Sequence, residues 1–234
     1  MNIKLVMVAV VALGLTACNQ ASHETTEVTL DTESKKFSYA IGMDTGKQLK
    51  SLDAGIDAEA FALAISDVFD GIEPKLAEDV AAKIKQEFFQ RKQQEKMDER
   101  KNAAVNNKAE GEAFLVENEK KDGVKVTASG LQYEVITMGD GAKPKPENTV
   151  KVHYKGTTID GEEFDSSYSR GQPISFPLNG VIKGWTEGVA LMPVGSKFRF
   201  FIPSELAYGE RGAGAKIGPN STLIFEVELL AIEK

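Results

Sequence analysis

Side chains able to attack a substrate, shuttle a proton or hold a metal are scarce in this chain. There is one cysteine, Cys18, and there are two histidines, His23 and His153. Zinc sites draw four ligands from closely spaced pairs, which this set cannot supply, so no metal is expected. A Cys–His nucleophilic pair would require Cys18 to survive as a thiol. The triplet Asp44-Thr45-Gly46 matches the aspartic-protease signature. That chemistry needs two carboxylates sharing a proton, no second copy occurs, and the triplet falls in a helical pattern. His153 alternates with Val152 and Tyr154 in a strand pattern, which turns it to solvent with Lys151 and Lys155 and leaves no triad to draw through it.

What remains is aromatic. The only tryptophan, Trp185, lies in the stretch Val181 to Leu191, which reads as one short helix. Ile182, Trp185, Val189 and Ala190 share a face, and Lys183 and Glu187 sit four apart on the wet side. A single helix among many strands must cover one face of their sheet. Gly184 and Gly188 let the backbone approach that sheet, although each glycine weakens a helix by about 1 kcal/mol. Trp185 is then either a core residue or, where the helix leaves the sheet unsealed, the floor of an apolar pocket. Tyr154, Phe164, Phe176, Val181, Ile182, Tyr208 and Phe225 join it as inward residues, and Asp165 stands beside Phe164 at a strand end.

The elements that must position this group begin at Asp122-Gly123, where the composition changes. Strand patterns follow at Gly130–Thr137, Thr149–Ile159, Phe164–Ser167, Ile174–Leu178, Lys197–Pro203 and Thr222–Ile232. Gly139-Asp140-Gly141, Asp160-Gly161, Asn179-Gly180 and Pro193-Val194-Gly195 mark turns between them. In the last strand Leu223, Phe225, Val227 and Leu229 point one way, and Glu226 and Glu228 point outward. Upstream the periods are helical. Phe37, Ile41, Thr45 and Leu49 recur every four residues, and Asp57 can cap a second helix to Asp70 with Gly71 as its stop. Pro74 suits the first turn of a third helix running to about Lys121. Its apolar stripe (Leu76, Val80, Ile84, Phe88) thins in the second half, so that part reads as a solvated spacer or a partly disordered linker. The expected domains are a helical module at 34–74, a connecting helix at 75–121 and a strand-rich domain at 122–234, an α+β chain. The first module is marginal in size for a core of its own, so its apolar faces predict a homodimer.

The chain has 234 residues, of which 27% are charged, with a net charge of -7 and no basic patch. Nucleic acid is therefore not an expected partner. Met1 to Lys4 carries a positive charge, and Leu5 to Leu15 is an apolar core too short to span a bilayer. Leu15-Thr16-Ala17-Cys18 then resembles the bacterial lipobox, in which the signal (1–17) is cut before a cysteine that receives lipid. An ordinary signal with a chance cysteine is the other reading. Residues 18–33 would form a flexible tether, and Asn19 after the cysteine implies sorting to the outer membrane, facing the periplasm, with lipid as the only membrane attachment.

Five blocks carry a family resemblance: Val152-His153-Tyr154, Gly161 to Ser167, Val181 to Trp185, Ala207-Tyr208-Gly209 and Leu223 to Leu230. Together they resemble the FK506-binding-protein (FKBP) family of peptidyl-prolyl isomerases over about residues 125 to 234. The helix at Phe37–Leu49 and Gly111-Glu112-Ala113-Phe114-Leu115 further resemble the Mip/FkpA bacterial envelope subgroup. The resemblance implies a curved antiparallel sheet wrapped on the Trp185 helix, N-terminal helices that hold a dimer, and no cofactor. It implies catalytic roles for Tyr154, Asp165, Trp185, Tyr208 and Phe225. It implies substrate contacts from Phe164, Arg170, Ile174, Phe176, Val181, Ile182 and Ile217. Unfolded or proline-containing polypeptides would be the partners, and FK506- or rapamycin-type inhibitors would suit such a pocket. Asp165 would either meet the twisted carbonyl or hold Tyr154 and Arg170 in place. Ile174 stands where the family often has an aromatic, Ala213 where it often has histidine, and Lys216 near a usually apolar position. A holdase or adaptor that binds proline segments without turning them over is the competing function.

Overall fold

The computed structural model describes residues 28–233, so the lipobox and Cys18 lie outside the described residues. The chain divides into two compact units, one ending at Ala77 and one beginning at Glu78.

In the N-terminal unit, α1 spans Glu33–Ser51 and α2 spans Ala58–Phe69. Thr32 and Asp57 cap them, accepting hydrogen bonds from the Lys35 and Ala60 amides at 3.2 and 2.8 Å. α1 buries no residue. Phe37, Ile41, Phe61, Ile65 and Phe69 are all exposed and line one apolar cleft of about 830 Å³. The buried side chain in α2 is Asp67, ion-paired with Lys75 at 2.8 Å.

The second unit opens with α3, Glu78–Asn118, 41 residues and so about 60 Å long at 1.5 Å per residue. It starts four residues beyond Pro74. Its first turn is instead acidic, Glu78 and Asp79, which suits the positive end of the helix dipole. Pairs such as Lys83–Glu87 and Lys108–Glu112 run along its exposed faces. The C-terminal turns are not a solvated spacer. Gly111 and Asn118 are buried there, and the Phe114 ring lies 5.9 Å from Phe201 of the sheet. A β-carbon on Gly111 would stand 2.3 Å from the Thr222 hydroxyl, so glycine is what allows the helix to touch the sheet. Asn118 donates to Gln132 Oε1, and Gln132 Nε2 donates to the Leu115 carbonyl, both at 2.9 Å.

Seven antiparallel strands follow: β1 Val124–Val126, β2 Gln132–Thr137, β3 Thr149–Thr158, β4 Glu163–Ser166, β5 Ile174–Pro177, β6 Lys197–Ile202 and β7 Leu223–Glu233. Their order is β1-β2-β6-β7-β3-β4, with β5 added to β3. β1 is too short to show a period, and sequence patterning passes over it. The helix α4 is Lys183–Ala190, shorter than the expected stretch, with Ile182 as its N-cap. Trp185 and Val189 point into the core with Phe198, Phe200, Ile202 and Val227. β-Carbons on Gly184 and Gly188 would fall 2.4 Å from an Ile202 methyl and 2.7 Å from the Phe200 ring, so the close approach is real. Along β7, Leu223, Phe225, Val227 and Leu229 are buried in alternation.

His153 is not a solvated side chain. It is half-buried, stacked on Tyr168 at 4.7 Å, with Nδ1 3.0 Å from the Ser167 hydroxyl. Burial and a hydrogen bond to Glu228 push the Tyr168 hydroxyl up to about 12. Strand alternation sets a side, but the 167–171 turn brings Tyr168 over that side and covers it. Among the described residues no helix is long and apolar enough to cross a membrane.

Candidate active site

The open end of the sheet, beside α4, holds a cavity of about 760 Å³. Its floor is the Trp185 indole, only 5% exposed. Tyr154 on β3 meets the indole edge-on at 5.2 Å, and Phe225 on β7 does so at 5.1 Å. Phe176 on β5 is tilted against it at 5.3 Å, and Phe164 on β4 closes on Phe225 at 5.4 Å. Such edge-to-face pairs add about 0.5–1.5 kcal/mol each beyond the area they bury. The indole N–H is buried without a hydrogen-bond partner among the described residues, a cost of about 1–3 kcal/mol carried by the floor itself.

Val181 and Ile182 form the wall where the chain enters α4. The Thr186 hydroxyl donates to the Leu178 carbonyl at 2.7 Å, which ties the helix to the 3-10 turn Leu178–Gly180 before it. Ile182 caps α4 with an extended backbone, and its carbonyl accepts from the Trp185 and Thr186 amides at 2.9 and 3.1 Å. Its own N–H, at the mouth of the cavity, has no partner among the described residues.

One rim is polar. Arg170 spans Asp165 and Tyr154: Nη1 donates to Asp165 Oδ1, and Nη2 donates to the Tyr154 hydroxyl at 2.8 Å. The Tyr154 hydroxyl in turn donates to Asp165 Oδ2. The guanidinium also lies 5.5 Å over the Tyr154 ring. Burial acts to raise the Asp165 carboxyl, but the Tyr154 and Arg170 hydrogen bonds and the guanidinium charge outweigh it and hold the group below the usual carboxylate range. Burial, and then the bond to Asp165, raise the Tyr154 hydroxyl, so it stays protonated and donating. Tyr208 faces them across the opening, 40% exposed, with no hydrogen bond to its hydroxyl among the described residues. Burial and the Asp165 charge raise it too, so it is a neutral donor.

The cavity brings together Tyr154, Phe164, Asp165, Ile174, Phe176, Val181, Ile182, Trp185, Tyr208, Ile217 and Phe225. Arg170 is the exception. It stands behind the rim and touches the cavity only through Asp165 and Tyr154. Sequence reasoning missed Gly180, Gly214 and Ala215 as lining, and Gly156 as support. A β-carbon on Gly156 would sit 2.6 Å from the Phe164 ring and 2.8 Å from Phe225, so this glycine makes room for both. A lone glycine in a strand pattern is the signal for such an approach. Lys216 reaches across and donates to the Glu163 carbonyl at 2.8 Å, which explains a cation on an otherwise apolar rim.

An open aromatic cup with fixed neutral donors, one ionised carboxylate and no nucleophile suits a reaction that changes shape without changing bonds. Comparison with known proteins agrees. Residues 140–230 match the family model described as FKBP-type peptidyl-prolyl cis-trans isomerase. Residues 34–135 match the one described as the domain amino terminal to it. FKBP-type peptidyl-prolyl cis-trans isomerase FkpA of Aeromonas hydrophila is 45% identical over 251 residues, covering 97% of this chain and 93% of the relative. Outer membrane protein MIP of Legionella longbeachae is 40% identical over 234 residues, covering 100% and 99%. The crystal structure of FkpA from Escherichia coli superposes with a TM-score of 0.66 at 38% identity, over 88% of this chain and 99% of that one. The chain belongs to the FKBP-type peptidyl-prolyl cis-trans isomerases, and it is an enzyme of that activity.

Proposed function

We propose that this pocket accelerates rotation about X–Pro bonds by stabilising the twisted amide over the planar one. Rotation must break amide resonance against a barrier of ~18–20 kcal/mol. No covalent bond changes, so no nucleophile is needed. The twisted amide carries less charge separation than the planar form, and a dry apolar cup therefore favours it relative to water. The observation that carries this reading is the Trp185 floor, walled by Tyr154, Phe176 and Phe225 and open above. The pyrrolidine ring rests on the indole. The Tyr208 hydroxyl and the Ile182 N–H hold substrate carbonyls. Asp165, with each carboxylate oxygen engaged by Arg170 or Tyr154, acts as a positioning group for the rim.

The relatives named FkpA and outer membrane protein MIP support a place in the bacterial envelope. The lipobox-like Leu15 to Cys18 supports a lipid anchor at Cys18 and attachment to the outer membrane on its periplasmic side. The exposed apolar cleft between α1 and α2 supports a homodimer through those helices, with the dimer holding unfolded clients for the pocket. The test is a protease-coupled assay on an X–Pro peptide. Trp185→Leu should lower kcat/KM by about tenfold or more, the effect of roughly 1.4 kcal/mol at the transition state, while the far-ultraviolet circular dichroism stays native. Undiminished turnover in that variant rejects the pocket assignment.

A further inference from the structure

One side of the pocket is built by a loop rather than by the sheet. Ala213 to Ile217 line the opening, held by a single bridge in which the Ala213 and Ile217 amides donate to each other's carbonyls at 2.8 and 3.1 Å. The loop is closed on itself once more, where the Asn220 amide donates to the Gly209 carbonyl at 2.8 Å. Lys216 ties it to the Glu163 carbonyl on β4, and its other side-chain attachments go to α3. Arg100, Ala104, Asn107 and Gly111 recur at spacings of four, three and four, so they share one face of that helix. Arg100 Nη2 donates to the Arg211 carbonyl at 2.8 Å and the Glu210 carbonyl at 3.4 Å. Asn107 Nδ2 donates to the Pro219 carbonyl at 2.8 Å and the Ser221 hydroxyl at 3.3 Å. Asn220 Nδ2 donates back to the Ala104 carbonyl at 3.2 Å. The helix therefore grips the loop on both sides of the Ala213–Ile217 bridge. Neither Arg100 nor Asn107 lines the pocket.

We propose that Arg100 and Asn107 are positioning residues: by stapling the loop to α3 they set the rim against which a proline-containing polypeptide docks. The long helix is then part of the recognition surface and not only a connector. This rests on the isomerase reading of the pocket. The effect expected follows from where the staples act. A rim contact is made by the planar and the twisted amide alike, so it contributes uniform binding, whose loss raises KM and leaves kcat unchanged. The Trp185 floor, where the two forms are told apart, is untouched.

The experiment uses the full chain carrying Arg100→Ala and Asn107→Ala together, against wild type, on one short X–Pro peptide. KM should rise about three- to tenfold, the size that one to two net hydrogen bonds support, with kcat unchanged. The dissociation constant of the same peptide, read from the fluorescence of the single tryptophan on the pocket floor, should weaken in parallel. A variant that merely folds poorly loses active enzyme, which lowers the apparent kcat and leaves KM where it was. A KM that does not rise overturns the proposal, whatever happens to kcat. A wild-type chain that fails to turn over the peptide sinks the isomerase reading instead, and the fluorescence titration then decides the role of the rim by itself.

Discussion

Replacing Tyr208 with phenylalanine removes one oxygen from the pocket opening and breaks no hydrogen bond among the described residues. The hydroxyl is a neutral donor, because burial and the Asp165 charge both raise it. It has no hydrogen-bond partner among the described residues, and the residue is 40% exposed, so its loss should leave the melting temperature unchanged. If the hydroxyl holds a substrate carbonyl, one net hydrogen bond of about 0.5–1.5 kcal/mol is lost on binding or in the transition state. That corresponds to roughly a two- to twelvefold fall in kcat/KM on an X–Pro peptide in the protease-coupled assay. A fall in kcat would place the bond in the transition state, and a rise in KM would place it in both states. Tyr154→Phe is the internal contrast. It strips a partner from both Asp165 and Arg170, whose half-exposed side chains water can reach, and should destabilise the fold by about 0.5–1.5 kcal/mol. Full activity in Tyr208→Phe refutes the substrate bond. A lowered melting temperature in that variant refutes the claim that the hydroxyl is unengaged.

Gly188→Ala places a methyl 2.7 Å from the Phe200 ring, and the overpacking should cost about 1–3 kcal/mol in a urea titration; unchanged stability would mean that α4 sits further from the sheet. The lowered Asp165 pKa makes a pH prediction. Its contribution to stability is complete above the unfolded value of 3.8 and is lost as pH falls through the lower folded value. Asp165→Asn should remove that acid-side slope, and a variant melting in parallel with wild type between pH 5 and about pH 2 would show the carboxylate to be unpaired. Deletion of the first 77 residues should give a monomer by light scattering that still isomerises peptides, because the apolar cleft lies wholly in the deleted unit. A full-length chain that scatters as a monomer rejects the dimer.

Much of the site was legible because it rests on local periods. Strand alternation puts Tyr154 and Phe225 on the same side as Val152 and Val227, and helical spacing puts Trp185 with Val189. The twin glycines of α4 carried a packing signal that the 2.4 and 2.7 Å approaches explain. The C-terminal half of α3 was misread for a related reason. Its contact face is Arg100, Ala104, Asn107, Gly111, Phe114 and Asn118, side-chain donors and small residues with one large apolar side chain among them, too few to make a stripe. An apolar stripe is the usual sign of a buried face, but a face that touches backbone carbonyls needs donors and short side chains instead. His153 failed likewise, since alternation knows which side of a strand a residue takes but not what folds over it.

The order of the residues by itself determined most of the helices and strands, the cap at Asp57, and the inward residues of the strands that carry Tyr154 and Phe225. Those follow from interactions between residues a few positions apart. Only the tertiary structure decided that the indole floor stays open, that Arg170 works from behind the rim, and that a loop more than a hundred residues downstream is gripped by α3. These depend on which surfaces meet after the chain has folded back on itself, and no period along the sequence records that meeting.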